Sequence, residues 1–342
     1  MRRRGVTVIL GALITALLAV GVMAFPLPYV VLKPGPTVNT LGSDNGKEVI
    51  QVTKATTSTS QGQLRLTTVG VQPSVELVWA IRGWFSDDQA VVPRDLIYPP
   101  DRSEQQVEEQ NAEEFKSSQS SAETVALREL GYPVQTFVTE VTKDGPSVGV
   151  LQKDDVVTTV DGTAVTSPDK LTQLVQAKPA GTALTVGYTR GGKAATATIK
   201  TKAAEGTATP RIGVAIDKRQ PHPFDVEIDL DEIGGPSAGL MFSLGIIDKL
   251  RPADLTGGKI IAGTGTLDDE GNVGPIGGIP QKLVGAKDAG ATLFLVPAGN
   301  CAEALRNTVP GLTMAEVATV DDALAALQAY TTGGTPKPCP AK

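Results

Sequence analysis

An almost unbroken apolar run, Val6 to Phe25, opens the chain, and the hydrophobic pattern after it breaks into shorter pieces of two different periods. Twenty such residues can cross the hydrocarbon core of a bilayer, and the preceding Arg2, Arg3 and Arg4 favour a cytoplasmic N-terminus. The pattern predicts a basic tail (1–5) and a transmembrane anchor (6–25), with everything after Pro26 outside the cytoplasm. A cleaved signal peptide is the alternative, because Val22-Met23-Ala24 offers small residues, although signal apolar regions usually run only about 7–15 residues.

Beyond the anchor, Gln63 to Gly70 reads as a strand and Val75 to Trp84 as an apolar helix. Asp101 to Ser121 is rich in Glu, Gln and Ser, with helix-cap signals at Ser103 and Ser120, and reads as a solvated helical connector within 85–130. Short strands follow at Thr136–Val141, Val156–Val160 and between Ala183 and Ile199, with a turn at Asp161-Gly162 and a helix near Asp169 to Ala177. The run Leu240 to Ile247 is hydrophobic nearly all round, which predicts a buried helix. An alanine-rich helical pattern from Lys282 stops at Gly290, and Leu293 to Val296 reads as a buried strand.

Composition narrows the function classes. With 37 acidic against 31 basic residues and a net charge of -6, the chain gives no reason to expect nucleic acid as a partner. The two cysteines, Cys301 and Cys339, could pair outside the cytoplasm and tie the proline-rich tail (331–342) to the body, or stay as free thiols. Neither Cys-x-x-Cys nor Cys/His metal spacing occurs, so no metal and no cofactor are expected. The run Gly187 to Lys193 imitates a phosphate loop, but Ala194 stands where a magnesium-binding hydroxyl belongs, and the run reads as a strand turn.

The candidate chemistry lies in Gly234-Gly235-Pro236-Ser237-Ala238-Gly239. Ser237 is a candidate nucleophile, with Gly234, Gly235 and Ala238 allowing close substrate approach and supplying backbone donors for an oxyanion at a helix start. His222, the one histidine, precedes Ser237 by only fifteen residues and sits between two prolines, which suits an exposed loop better than a catalytic triad. A desolvated lysine can serve instead. Lys282 falls in the first turn of its helix, where both the dipole and burial would lower its pKa. Ser167-Pro168-Asp169-Lys170 and Ser43-Asp44-Asn45 imitate another Ser-Lys class in the wrong order, and Ser167 reads as a helix cap.

Gly234–Gly239, the segment Thr264-Gly265-Thr266 leading to Pro275-Ile276-Gly277-Gly278, and the lysine four residues after Gly278 together resemble the Lon protease family in order and spacing. The resemblance implies a Ser-Lys dyad of Ser237 and Lys282, with Thr264 orienting the lysine. It departs from the family at Ile233-Gly234, where a charged pair often stands; the nearest acids here are Asp231 and Glu232. Val141 to Val157 resembles the PDZ family, with Asp154 in place of a familiar glycine. Such a domain captures extended peptide tails by strand addition, and its carboxylate loop is expected at Gly131, Tyr132 and Val134.

The expected fold is an α/β (α+β) Lon-type proteolytic domain, 29–84 and 208–330, with an inserted, mainly β PDZ domain (131–203) and an N-terminal transmembrane helix. The implied function is an ATP-independent, membrane-anchored serine endopeptidase. It would act on protein or peptide substrates outside a bacterial cytoplasmic membrane. Lon-type domains often assemble as rings, so a homo-oligomer is compatible with the resemblance. A catalytically silent PDZ scaffold that binds protein tails at the membrane is the alternative.

Overall fold

The computed structural model describes residues 10–16, 26–86, 88–230 and 234–340. Residues 10–16 are helical, and the rest of the apolar run predicted as an anchor lies outside the described residues. Among the described residues no helix is long and apolar enough to cross a membrane.

The first stretch carries β1 (Tyr29–Asn39), β2 (Ile50–Thr53), β3 (Gln63–Gln72), α1 (Leu77–Trp84), β4 (Ala90–Pro93) and α2 (Glu104–Glu129). The middle adds β5 (Gln135–Val141), β6 (Val156–Val160), α3 (Pro168–Gln176), β7 (Ala183–Arg190), β8 (Lys193–Lys200) and β9 (Val214–Arg219). Then come β10 (Asp225–Ile228), α4 (Gly239–Leu250), β11 (Ile260–Gly263), α5 (Ile279–Asp288), β12 (Leu293–Pro297), α6 (Cys301–Arg306), β13 (Thr313–Val317) and α7 (Val320–Thr331). These form two compact units, Met1–Ala126 with Phe224–Lys342, and Leu127–Pro223.

The larger unit is built on a six-stranded sheet of order β13-β12-β11-β3-β1-β4. Its β13, β12, β11 and β3 are parallel, and β1 and β4 extend it antiparallel. Every residue of β12, Leu-Phe-Leu-Val-Pro, is buried, as a central parallel strand covered on both faces requires. Helix α4 is buried from Gly239 to Lys249, in keeping with its all-round apolar pattern. A capping box closes the start of α7, with the Thr319 side chain on the Asp322 N–H and the Asp322 carboxylate on the Thr319 N–H.

Two boundaries differ from the sequence reading. Segment 85–130 is no solvated connector: β4 pairs with β1, and one continuous helix, α2, buries Phe115, Ser118, Ala122, Val125 and Ala126. The spacing of those residues makes a helical stripe, but serine and alanine do not announce a buried face. The second difference lies at 208–223, assigned to the proteolytic domain by sequence. Strand β9 pairs antiparallel with β5 as the edge of the smaller unit's sheet, β8-β7-β6-β5-β9.

Cys301 and Cys339 form a disulfide with Cα atoms 5.3 Å apart, closing a loop of 38 residues. Both are buried in one cluster with Phe294 and Val296, and the Lys337 carbonyl accepts from the Glu316 N–H, so the tail is held against β13. A crosslink of this span stabilises by roughly 4 kcal/mol through unfolded-state entropy. Cys339→Ser is therefore expected to lower unfolding stability by that order in a denaturant titration, and dithiothreitol should then leave the variant's midpoint unchanged.

In the smaller unit Val157, Leu171, Leu184, Val186 and Ile199 form the core. Asp154 stands at φ 70°, the left-handed region that glycine adopts most readily. The neighbouring buried Asp155 accepts from Arg190 Nε and Nη2, each at 2.7 Å. The run Gly187 to Lys193 is the β7–β8 hairpin, with Gly191 and Gly192 at φ 55° and 79° in the turn.

Candidate active site

The parallel strands of the larger unit end at one place. The β3 and β11 ladder runs from Gln63↔Ile260 to Leu66↔Gly263, so Thr67 and Thr264 follow the last pair side by side. The carboxyl ends of parallel strands are where open α/β sheets place their sites. A cavity of about 180 Å³ lies there, walled by Leu66 to Val69 on β3, by Gly234, Ser237 and Ala238 before α4, and by Gly277 and Lys282 at the start of α5.

Ser237 is fixed by its backbone. Its carbonyl accepts from the Gly265 N–H at 2.9 Å and from the Thr264 hydroxyl at 3.0 Å. Just upstream, Gly235 adopts φ 87°, and its N–H donates to the Asn111 carbonyl on α2. The Ser118 hydroxyl donates to the Pro236 carbonyl at 3.0 Å. Helix α2 therefore clamps the turn that presents Ser237. Asp231 and Glu232 lie outside the described residues.

Lys282 comes from the opposite wall. Gly278 caps α5 at φ 71°, and the Lys282 side chain, 3% exposed, places Nζ 2.8 Å from Ser237 Oγ and 2.9 Å from Thr264 Oγ1. Burial pushes its pKa from the ordinary 10.5 down to about 7, so much of it is a neutral amine near physiological pH. A neutral amine has two N–H bonds and one lone pair. Thr264 spends its own proton on the Ser237 carbonyl, so its oxygen accepts an N–H of Lys282, and the neutral amine keeps a lone pair with which it can accept the Ser237 hydroxyl proton.

That contact would let Thr264 orient the Lys282 amine. Thr264→Val keeps the shape and removes the hydroxyl, and is expected to lower kcat by roughly 10- to 100-fold at unchanged KM. Steady-state kinetics on a peptide substrate would read the split.

The buried lysine also sets a pH dependence of stability. Between pH about 7 and 10.5 the unfolded chain holds a proton on Lys282 that the folded chain does not, so stability rises with pH across that window. The slope is about 1.4 kcal/mol per pH unit. Below pH about 7 both states hold the proton and the native state bears the full cost of the buried ammonium. Denaturant curves of wild type and Lys282→Met between pH 6 and 10 should converge or cross by that slope.

The structure thus brings together Ser237, Lys282, Thr264, Gly234 and Ala238, with Gly235 in the turn beneath. Pattern reading did not single out Thr67 and Val69 as cleft wall, nor Asn111 and Ser118 on α2. The adjacent pair Thr67-Thr68 in a predicted strand was the available signal for the wall; the α2 contacts carry none.

The smaller unit needs a correction. A groove of about 280 Å³ lies between α3 and the edge strand β9, walled by Leu171, Val175, Arg211, Ile212, Val214 and Ile216. Gly131, Tyr132 and Val134, expected to form the peptide loop, are not among its walls. The Tyr132 carbonyl accepts from Gln220, and Val134 lines a separate cavity of about 620 Å³ with Val156, Val165 and Thr189. The expectation placed the loop before the first strand, whereas here the strand bordering the helix comes last. Ile212-Gly213-Val214, with Gly213 at φ 75°, is the turn that enters it. His222 is half-buried rather than exposed, its ring edge-on to Tyr132 at 6.4 Å.

Residues 222–329 match the model of the Lon protease (S16) C-terminal proteolytic domain, and residues 106–201 match that of the PDZ domain. The chain is 32% identical over 110 residues to Lon protease 2 of Bacillus subtilis, covering 31% of this chain and 19% of that protein. It is 33% identical over 141 residues to Lon protease 1 of Sorangium cellulosum, covering 39% and 16%. It thus spans under a fifth of the length of either relative. The PDZ domain of an SdrC-like protein from Listeria monocytogenes is 31% identical, with a TM-score of 0.23, over 24% of this chain and 85% of that one.

Proposed function

We propose that this chain, a Lon-like serine protease that carries a PDZ domain, is an ATP-independent endopeptidase with a Ser237-Lys282 dyad, anchored by residues 6–25 in a bacterial cytoplasmic membrane and acting outside the cytoplasm. The observation that carries the dyad is the 2.8 Å approach of a buried Lys282 Nζ to Ser237 Oγ.

In the first step Ser237 Oγ attacks the substrate carbonyl carbon while its proton passes to Lys282 Nζ. The N–H groups of Gly234 and Ala238, on either side of Ser237, would serve the developing oxyanion, whereas the Gly235 N–H is spent on the Asn111 carbonyl. Lys282 then gives the proton to the leaving amine, and the peptide bond breaks. Water, deprotonated by the same amine, releases the acyl group and regenerates Ser237. None of these steps consumes a nucleotide, and the glycines of the Gly187–Lys193 run serve a hairpin turn.

Substrate selection falls to the smaller unit. An extended peptide adding to β9 would place alternate side chains against Leu171 and Val175 of α3. The cleft suits flexible or membrane-tethered protein segments, which can enter it without prior unfolding. A homo-oligomer is compatible with this reading.

Cleavage of an unfolded protein by the full chain without ATP, followed by gel and mass spectrometry, tests the proposal. Cleavage lost in Ser237→Ala supports it. Binding of peptide tails with no cleavage by a folded wild type would leave the silent scaffold.

A further inference from the structure

Helix α1 is built inside out. It buries its small residues, Ala80 and Gly83, against Val31, Val75 and Val91. Its large residues face outward: Val78, Trp79, Ile81 and Trp84 are 43–56% exposed, and Phe85 just past its end is 87% exposed. A helix on a water-facing surface ordinarily does the reverse, and a contiguous apolar patch of this kind marks a surface meant to be covered.

Its position indicates what covers it. Immediately before α1, Val75 and Glu76 pair antiparallel with Leu27 and Pro26. Pro26 is the residue directly after the apolar run 6–25. The outward-facing helix therefore lies beside the point where the chain leaves its proposed anchor. The only two tryptophans of the chain stand on it, and tryptophan favours the headgroup level of a bilayer, with its apolar body buried and its indole N–H wet. The Arg82 guanidinium packs over the Trp79 ring at 5.5 Å, a cation whose stem can stay apolar while its head reaches the phosphate layer.

We infer that α1 and Phe85 lie in the lipid headgroup layer as an interfacial helix beside the anchor. This inference rests on residues 6–25 being an anchor. Val69 of the cleft wall precedes Val75 by six residues, at most about 20 Å of extended chain. The cleft is thereby held close to the bilayer surface, and the substrates it meets are juxtamembrane segments of other membrane proteins.

Because Trp79 and Trp84 are the chain's only tryptophans, intrinsic fluorescence reads α1 directly. The full chain, reconstituted into phosphatidylcholine vesicles and recovered by flotation, is compared with Trp79→Phe and Trp84→Phe. Lipids brominated near the headgroup end of their acyl chains should lower the emission of both single-tryptophan variants at least about twofold, the depth expected of an interfacial helix, while aqueous iodide has little effect. Floating protein whose tryptophans stay open to iodide and unquenched by brominated lipid overturns the inference and leaves the anchor intact. Tryptophans shielded from both quenchers, with chemical crosslinking between copies, overturn it in favour of a second copy of the chain. Failure to float removes the anchor reading, and this inference with it.

Discussion

Lys282→Met is expected to lower kcat by roughly 10⁴- to 10⁶-fold, the scale on which losing a general base or its nucleophile falls when the two act as a unit. The reason is geometric: Lys282 Nζ, the proposed base, lies 2.8 Å from Ser237 Oγ, and burial lowers its pKa to about 7, where a proton can be both taken and returned. Ser237→Ala should lose as much, and the double variant no more than either single one, because the second change removes a group that has lost its partner. In wild type, kcat/KM should climb tenfold per unit below pH about 7 and level off above it, since only the neutral amine accepts the serine proton. Lys282→Arg, which keeps a charge that cannot be lost, should be as inactive as methionine. A flat profile across pH 6–8, or activity surviving in Lys282→Met, would refute the dyad.

The second large effect is expected from packing rather than from charge chemistry. Phe115→Ala should destabilise the larger unit by about 3–5 kcal/mol, the usual cost of truncating a buried phenylalanine. Phe115 is 6% exposed, and its ring meets Phe242 of α4 edge-on at 5.7 Å. The same helix holds the Ser237 turn through Asn111 and Ser118. Cleavage by Phe115→Ala should therefore fall at temperatures where the wild type is still fully active. A change below about 0.5 kcal/mol, typical of a surface site, would mean that α2 is the solvated connector its composition suggests.

Helix α2 shows why part of the molecule was illegible in sequence. A charged, glutamine-rich segment is read as solvated because its average polarity is high, and Ser118, Ala122 and Ala126 do nothing to correct that average. Small residues mark a buried face only when something packs closely on it, and what meets Phe115 and Ser118 is α4 with the turn before it, more than a hundred residues away. The peptide groove failed for a related reason. Local pattern locates strands but not their neighbours, and β9 borders α3 only because it pairs with β5 across more than seventy residues.

The pieces of the candidate site were legible because their order and spacing resemble the Lon protease family, and the elements that carry them each have a local cause. A glycine-rich turn before an all-apolar helix, and a lysine in the first turn after Gly277-Gly278, are patterns of backbone need and periodicity that neighbouring residues impose. The buried strand Leu293 to Val296 and the buried helix after Ser237 followed in the same way. By itself the sequence determined these elements and the pair of residues capable of nucleophile and base chemistry. Only the tertiary structure decided that Ser237 and Lys282, forty-five residues apart, meet within hydrogen-bonding distance. It also decided that Thr264 Oγ1 meets the same amine and that the lysine is buried, which lowers its pKa. Distance, lone-pair direction and desolvation are properties of packed surfaces, and no residue type carries them alone.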